Sequence, residues 1–269
     1  MARTVFITGC SSGIGKGTAK YFQEKGWNVA ATMRSIKDDR DLHRLSRVII
    51  SPLDVAKPDT VKTAVDKAVR KFGTIDILVN NAGIGIEGPL ESFSTKEMRE
   101  VFETNFFGTL NVTRAVLPVM KKQKSGIIIN ISSMGGRFAF PYYTTYHASK
   151  WAIEGFSESL QYELAPLGIA VKVIEPGIIN TDFFRKMQEK SNKPHDGIYR
   201  AALAKLFVKK QNARQMAGSA DSVAKTIFRA ATDGSKRLRY IVGFDAYILT
   251  LLKKLFPEQW LFQFVKRFS

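Results

Sequence analysis

Apolar and polar positions run along the chain in two alternating rhythms. TVFIT (4–8) is a short apolar, β-branched run stopped by Gly9, the pattern of a strand buried on both faces. GKGTAKYFQEKG follows as a helix closing near Gly26, and NVAATM and RVIISPLDV read as the next strands. In DTVKTAVDKAVRKFG the apolar positions Val61, Ala64, Val65, Ala68 and Phe72 recur at helical spacing and end at glycine. IDILVNNAG reads as a strand entering a turn. STKEMREVFETNFFGTLNVTRAVLPVM predicts one long helix capped by Ser94 or Thr95. GIIINISS is a strand, YTTYHASKWAIEGFSESLQYELAPLG a second long helix, and IAVKVIEPG a further strand.

This alternation predicts an α/β fold, a parallel sheet with helices on both faces. Beyond it the rhythm weakens. Residues 178–215 look helical but are broken at SNKPHDG, DSVAKTIFRAAT is a helix, and RLRYIVG reads as an edge strand. No repeat or low-complexity linker interrupts the chain. The expectation is one domain over 1–269, with a core over 1–177 and a substrate-side segment and tail over 178–269.

Composition narrows the class. At 269 residues with 45% hydrophobic and 24% charged side chains, the chain can bury a sizeable core. Its one cysteine, Cys10, excludes an intrachain disulfide and suits a reducing compartment. The apolar run in MARTVFITGC is too short for a signal peptide, and none approaches the ~18 residues needed to span a bilayer. The expectation is a cytoplasmic protein. The formal net charge is +17; from Arg200 onward there are 14 basic and 4 acidic residues, so +10 of it lies there. Such a surface attracts nucleic acid, anionic membrane or anionic substrates, although a solvated basic face is the commoner outcome. No aromatic stacking platform is legible, which argues against nucleic acid.

The first chemistry lies in TGCSSGIG (Thr8–Gly15), between the first strand and its helix. Glycines there permit a tight turn and close backbone approach. The following helix N-terminus offers unpaired N–H groups and partial positive charge to a pyrophosphate. In the order strand, turn, helix, this predicts dinucleotide binding through Gly9, Ser11, Ser12, Gly13, Ile14 and Gly15.

The spacing TGxxxGxG differs from GxGxxG and resembles the short-chain dehydrogenase/reductase family. NNAG (Asn80–Gly83), Asn105 within the long helix, YHASK (Tyr146–Lys150) and PG (Pro176–Gly177) followed by IINT match that family in order and spacing over roughly 4–182. AATMRS, YIVGFDA and the basic aromatic tail resemble the branch of 17β-hydroxysteroid and retinol dehydrogenases. The resemblance implies a Rossmann-type doubly wound domain with a seven-stranded parallel sheet, a C-terminal helical lid and a homodimer or homotetramer. It implies an NADP(H)-dependent oxidoreductase interconverting a hydrophobic ketone or aldehyde and its alcohol. No metal is implied. An NADP sensor or membrane-surface protein without turnover is the alternative; a sensor would not need the full set Asn105, Ser133, Tyr146 and Lys150.

On a helix Tyr146 and Lys150 share a face. An ammonium beside a phenol is expected to lower its pKa from ~10, making tyrosine a usable general acid/base. By resemblance, Tyr146 exchanges the proton, Ser133 hydrogen-bonds the substrate oxygen, Lys150 tunes Tyr146 and holds the nicotinamide ribose, and Asn105 supports a water relay. In NISS, the family spacing of thirteen residues before the tyrosine selects Ser133 over Ser132. His147 is expected to pack or be exposed rather than to react.

The resemblance places Asn81, Ala82 and Gly83 on the adenosine-ribose side, with Val55, Pro176, Gly177, Ile179 and Thr181 completing the cofactor wall. Asp54 either accepts from the adenine amine or caps a helix. Met33 stands where an NAD-type member carries Asp, and Arg34 follows. Loss of that carboxylate and the presence of a guanidinium favour a 2′-phosphate, so NADP(H) is expected ahead of NAD(H). Ser12 departs from the pattern, since some NADP-preferring members carry a basic residue there. Met134, Phe138, Tyr143 and the segment 178–215, with Phe183, Phe184, Met187 and Phe207, are expected either to line an apolar substrate site or to close the core. The tail LLKKLFPEQWLFQFVKRFS, with Lys253, Lys254, Lys266 and Arg267, either lies on an anionic membrane or packs across a subunit interface.

Overall fold

The computed structural model describes residues 2–191, 197, 199–206 and 217–267. Its strands are β1 (Thr4–Ile7), β2 (Asn28–Met33), β3 (Val48–Pro52), β4 (Ile77–Asn80), β5 (Gly126–Ile131), β6 (Ile169–Pro176), β7 (Ile179–Asn180), β8 (Gly218–Ser219) and β9 (Arg239–Val242). Seven form one sheet in the order β3-β2-β1-β4-β5-β6-β9, every pair parallel. β7 and β8 pair separately. The chain winds outward from β1 to β3, returns to β4 beside β1, and winds the other way. That reversal opens a crevice at the carboxyl ends of β1 and β4, where open α/β sheets bind ligands.

The helices are α1 (Gly13–Glu24), α2 (Pro58–Phe72), α3 (Thr95–Phe102), α4 (Gly108–Gln123), α5 (Thr144–Leu164), α6 (Asp182–Ser191), α7 (Ala220–Thr232), α8 (Phe244–Leu255) and α9 (Glu258–Arg267). Alternation along β1 sends Val5 and Ile7 to one core with Phe22 of α1 and Val223 and Ile227 of α7. Phe6 goes to the other face, with Val61 and Val65 of α2, Val112 and Val116 of α4 and Leu160 of α5. Each such fully buried side chain contributes about 1.5–3 kcal/mol. Pro58 opens α2, where its missing N–H costs nothing, and Gly73 closes it at φ 82°. Ser94 and Glu97 form the reciprocal cap of α3.

The expected single helix from Ser94 onward is interrupted. A π-turn, Glu103–Phe107, separates α3 from α4. Asn105 lies inside it, buried. Its Oδ1 accepts from the Ile84 N–H at 2.8 Å, and its Nδ2 donates to the Ile84 carbonyl and to Ser149 Oγ, each at 2.9 Å. These partners reward a turn that breaks the regular ladder.

Lys172 in the middle of β6 is fully buried, against every expectation for a lysine. Its Nζ donates to the Ala230 carbonyl at 2.6 Å, to Asp233 Oδ1 at 2.8 Å and to the Tyr240 hydroxyl at 3.1 Å, and that hydroxyl donates to Asp233 Oδ2 at 2.7 Å. All three ammonium protons are therefore used, and β6, β9 and the end of α7 are joined.

The tail forms α8 and α9 on either side of Pro257. Asp245, in the first turn of α8, accepts from the Ile178 N–H at 2.7 Å and so turns inward. The break at SNKPHDG falls largely outside the described residues.

Candidate active site

One cavity of about 1100 Å³ opens at the crevice between β1 and β4 and continues beneath α6. Gly9, Ser11, Ser12, Gly13 and Ile14 line one end, Asn81, Ala82 and Gly83 the middle, and Ser133, Tyr146, Lys150, Pro176 and Gly177 the other. Arg34, Asp54, Val55, Ile179, Thr181, Met134 and Tyr143 also reach it. Gly15 and Asn105 do not line it; both act one layer behind.

The glycine loop is shaped from below. Asn81 Nδ2 donates to the Thr8 carbonyl at 2.8 Å and to the Gly9 carbonyl at 3.1 Å, so β4 staples the loop. Gly9 and Gly13 lie at φ 73° and 56°. A Cβ at Gly15 would stand 2.3 Å from the Gly9 oxygen and 2.4 Å from Asn81 Nδ2. Ser12 begins α1 without a side-chain cap, and no acidic residue occupies the first turn. The loop therefore presents unpaired N–H groups to the cavity, and these fit a pyrophosphate.

Replacing Gly15 with alanine is expected to cost about 1–3 kcal/mol and to weaken dinucleotide binding, because the added methyl meets backbone. Gly155→Ala, where a Cβ meets nothing within 4 Å, is the matched control and should leave the melting temperature unchanged or raised. Thermal melts and a reduced-cofactor fluorescence titration read both. Equal behaviour of the two variants would remove the close-approach role of Gly15.

At the other end, Ser133 follows β5 and its Oγ accepts from the Gly135 N–H at 3.1 Å. The Tyr146 hydroxyl hydrogen-bonds Ser133. Ser132 turns away into the protein, and its buried Oγ has no hydrogen-bond partner. Alternation along the chain thus selects Ser133. Lys150 is buried. Its Nζ donates to the Ile131 carbonyl at 2.9 Å and lies 5.9 Å from the Tyr146 ring centre.

The expected direction of the Tyr146 shift is reversed. Removal from water pushes its pKa up to about 12, and the Ser133 hydrogen bond offsets this only in part. The Lys150 ammonium is engaged by Ile131 and does not outweigh the desolvation. Burial also lowers Lys150 to about 8, with Glu154 one turn along opposing the change. Tyr146 is therefore a proton donor in this state. His147 packs, as expected: it is buried, its Nδ1 accepts from the Phe140 N–H at 3.2 Å, and burial lowers it to about 4.

Asp54 does not cap α2, whose N-cap is Lys57. Its Oδ1 accepts from the Ala56 N–H at 3.1 Å, while Thr60 bonds its main chain. Phe138 is not on the cavity wall; its ring lies under the Lys253 ammonium at 5.3 Å. Phe207 and the stretch to Gln215 fall outside the described residues. Phe183, Phe184 and Met187 of α6 do line the cavity.

Sequence inspection missed Phe140, Pro141 and Tyr142 on the wall, with Val265 of α9 and with Lys186, Glu189 and Lys190 of α6. Tyr142 sits at φ 70°, unusual for a bulky residue, and its carbonyl accepts from the Gly88 N–H at 2.7 Å. A proline-preceded aromatic pair was the available signal.

Comparison with known proteins agrees with this geometry. The family model described as short chain dehydrogenase matches residues 3–192. An uncharacterized oxidoreductase of Schizosaccharomyces pombe is 40% identical over 211 residues, 78% of this chain and 88% of that protein. A 3-ketodihydrosphingosine reductase of Bacteroides thetaiotaomicron is 42% identical over 179 residues, 66% of this chain and 65% of that protein. A short-chain dehydrogenase of Streptomyces avermitilis superimposes with a TM-score of 0.82 at 30% identity, covering 99% of this chain and 97% of that one. ElxO with NADP bound matches with a TM-score of 0.74 at 30% identity over 90% of this chain and 96% of that one. With its doubly wound sheet, stapled glycine loop and tyrosine–serine pair in one crevice, the chain belongs to the short-chain dehydrogenase/reductase family of oxidoreductases.

Proposed function

We propose that the chain interconverts a hydrophobic ketone or aldehyde and its alcohol with NADP(H), Tyr146 acting as the general acid/base. The observation that carries this is the Tyr146 hydroxyl, bonded to Ser133 on the wall of a cavity whose far end is the uncapped α1 N-terminus. When bound, the nicotinamide supplies or accepts the hydride, which no side chain can. Ser133 Oγ orients the substrate oxygen and Tyr146 donates to the charge that gathers there. Lys150, held on the Ile131 carbonyl, adds positive charge beside the phenol. Asn105 fixes the loop after β4 to α5 through Ile84 and Ser149 and so holds Lys150's surroundings. The apolar residues of α6 and the aromatic 140–143 stretch support a lipid-like or ring-fused substrate. The named 3-ketodihydrosphingosine reductase relative agrees in class.

Arg34 supports NADP over NAD. It is exposed at the cavity rim beside buried Met33, so no carboxylate stands at the end of β2. The nearby acid Asp41 is held by Lys16 at 2.8 Å and Lys20 at 2.5 Å. Arg34→Asp should lower NADPH preference over NADH by about tenfold to a hundredfold, the worth of a charge-assisted contact. Steady-state KM values for both cofactors measure it; an unchanged ratio would remove Arg34 from the cofactor site. Exposed Phe107 and Tyr162 on the α4–α5 side support a subunit contact.

The test of the function is loss of reduced-nicotinamide absorbance with NADPH or NADH and a panel of ketones and aldehydes of rising apolar size. Turnover that grows with apolar size supports the proposal. Tight NADPH binding without turnover across the panel would favour a sensor.

A further inference from the structure

The tail carries an apolar face that the rest of the described structure leaves uncovered. On α8, Phe244, Tyr247, Ile248, Leu251 and Leu255 recur at helical spacing and are exposed, while Ala246 and Asp245 face inward. Phe256 continues the face and stacks on Trp260 at 6.4 Å between ring centres, joining α8 to α9. Leu255, Trp260 and Phe262 are 66%, 67% and 68% exposed. An uncovered patch of this kind marks an interaction surface.

Charge decides what covers it. Lys253, Lys254 and Lys266 lie on these helices, and among their described side chains the one acid, Asp245, is turned inward to Ile178. A second copy docked about a two-fold axis would set this face against itself. Its lysines would then meet lysines without a carboxylate to pair with. An apolar stripe bordered by cations, with a tryptophan at its edge, instead matches a bilayer with anionic headgroups. No helix among the described residues is long and apolar enough to cross a membrane, so the contact is with the surface. Val265 on α9 lines the cavity, which puts the docking face and the cavity wall on the same helix.

We propose that α8 and α9 dock the protein on the surface of an anionic bilayer, apolar side chains inserted and lysines at the headgroups. This goes beyond the catalytic proposal, and vesicle binding needs no turnover, so either can fail alone.

The test is flotation of the full chain with vesicles of phosphatidylglycerol and phosphatidylcholine in equal parts, against phosphatidylcholine alone, at low salt and at 0.5 M salt. Lys254→Glu/Lys266→Glu and Leu251→Ser/Leu255→Ser are run beside it, with circular dichroism and thermal melts to verify folding. Expected are binding to the anionic vesicles, weakening with salt, and a loss of about tenfold or more in the charge-reversal variant. The serine variant should fail to float while melting normally. Absence of binding to either vesicle overturns the proposal, as does binding indifferent to charge reversal. A dimer in gel filtration that the serine variant splits would also overturn it, assigning the face to a second copy.

Discussion

Tyr146→Phe is expected to lower turnover about a thousandfold or more while the fold and the affinity for reduced cofactor stay in place. The change removes one oxygen from a ring that otherwise keeps its contacts, with His147 at 5.9 Å and Phe183 at 5.6 Å between ring centres. What is lost is the proton at the point where the substrate oxygen gathers charge. Positioned acid/base catalysis contributes about 10²–10⁴, and here the donor also keeps its proton because burial holds it at about 12. Loss should appear in kcat, with KM little changed. Retained turnover within tenfold would assign proton transfer to another group or to water. Ser133→Ala should fall between, since the orienting contact goes but the proton remains.

The second large effect concerns Lys172. Asp233→Asn is expected to destabilise the protein by about 3–5 kcal/mol at neutral pH, the cost of leaving one ion of a buried pair without its partner. Burial alone would raise Asp233, but Lys172 and Tyr240 outweigh it and hold it at about 2. A depressed carboxyl stabilises the fold above its unfolded value near 4 and loses that contribution as pH falls through about 2. The difference between wild type and variant should therefore be full at pH 7 and shrink below about pH 4. Lys172→Met tests the pair from the other side: it removes the charge and leaves Asp233 exposed enough to be rehydrated, so it should cost less. Denaturant midpoints at pH 7 and pH 3 decide this; a pH-independent difference would exclude an electrostatic origin.

How much of this the sequence disclosed depended on range. The sheet and helices of the first 180 residues were legible because each rests on its own periodicity, and the glycine loop and the serine–tyrosine spacing because each is a local pattern. Three things were not. The π-turn around Asn105 is visible only once Ile84 and Ser149, distant in sequence, are seen to satisfy its amide. The Tyr146 shift depends on how much water reaches the phenol, which no spacing records. Lys172 reads as an error in a buried strand until Asp233 and Tyr240 arrive from more than sixty residues away. The cavity's outer wall, built from Phe140, Tyr142, Lys186 and Val265, likewise comes from separate loops and helices.

The turn at Glu103–Phe107 also limits how this region can vary in length. An α-helix rotates about 100° per residue. Deleting a single residue there would let the backbone relax into a continuous helix, but α4 would swing by that angle relative to α3. Val112, Val116 and Met120, all now buried, would turn away from the sheet. Insertions and deletions that loops on this surface would absorb are thus barred within these five residues, and the register of α4 is tied to keeping Asn105 pointed inward.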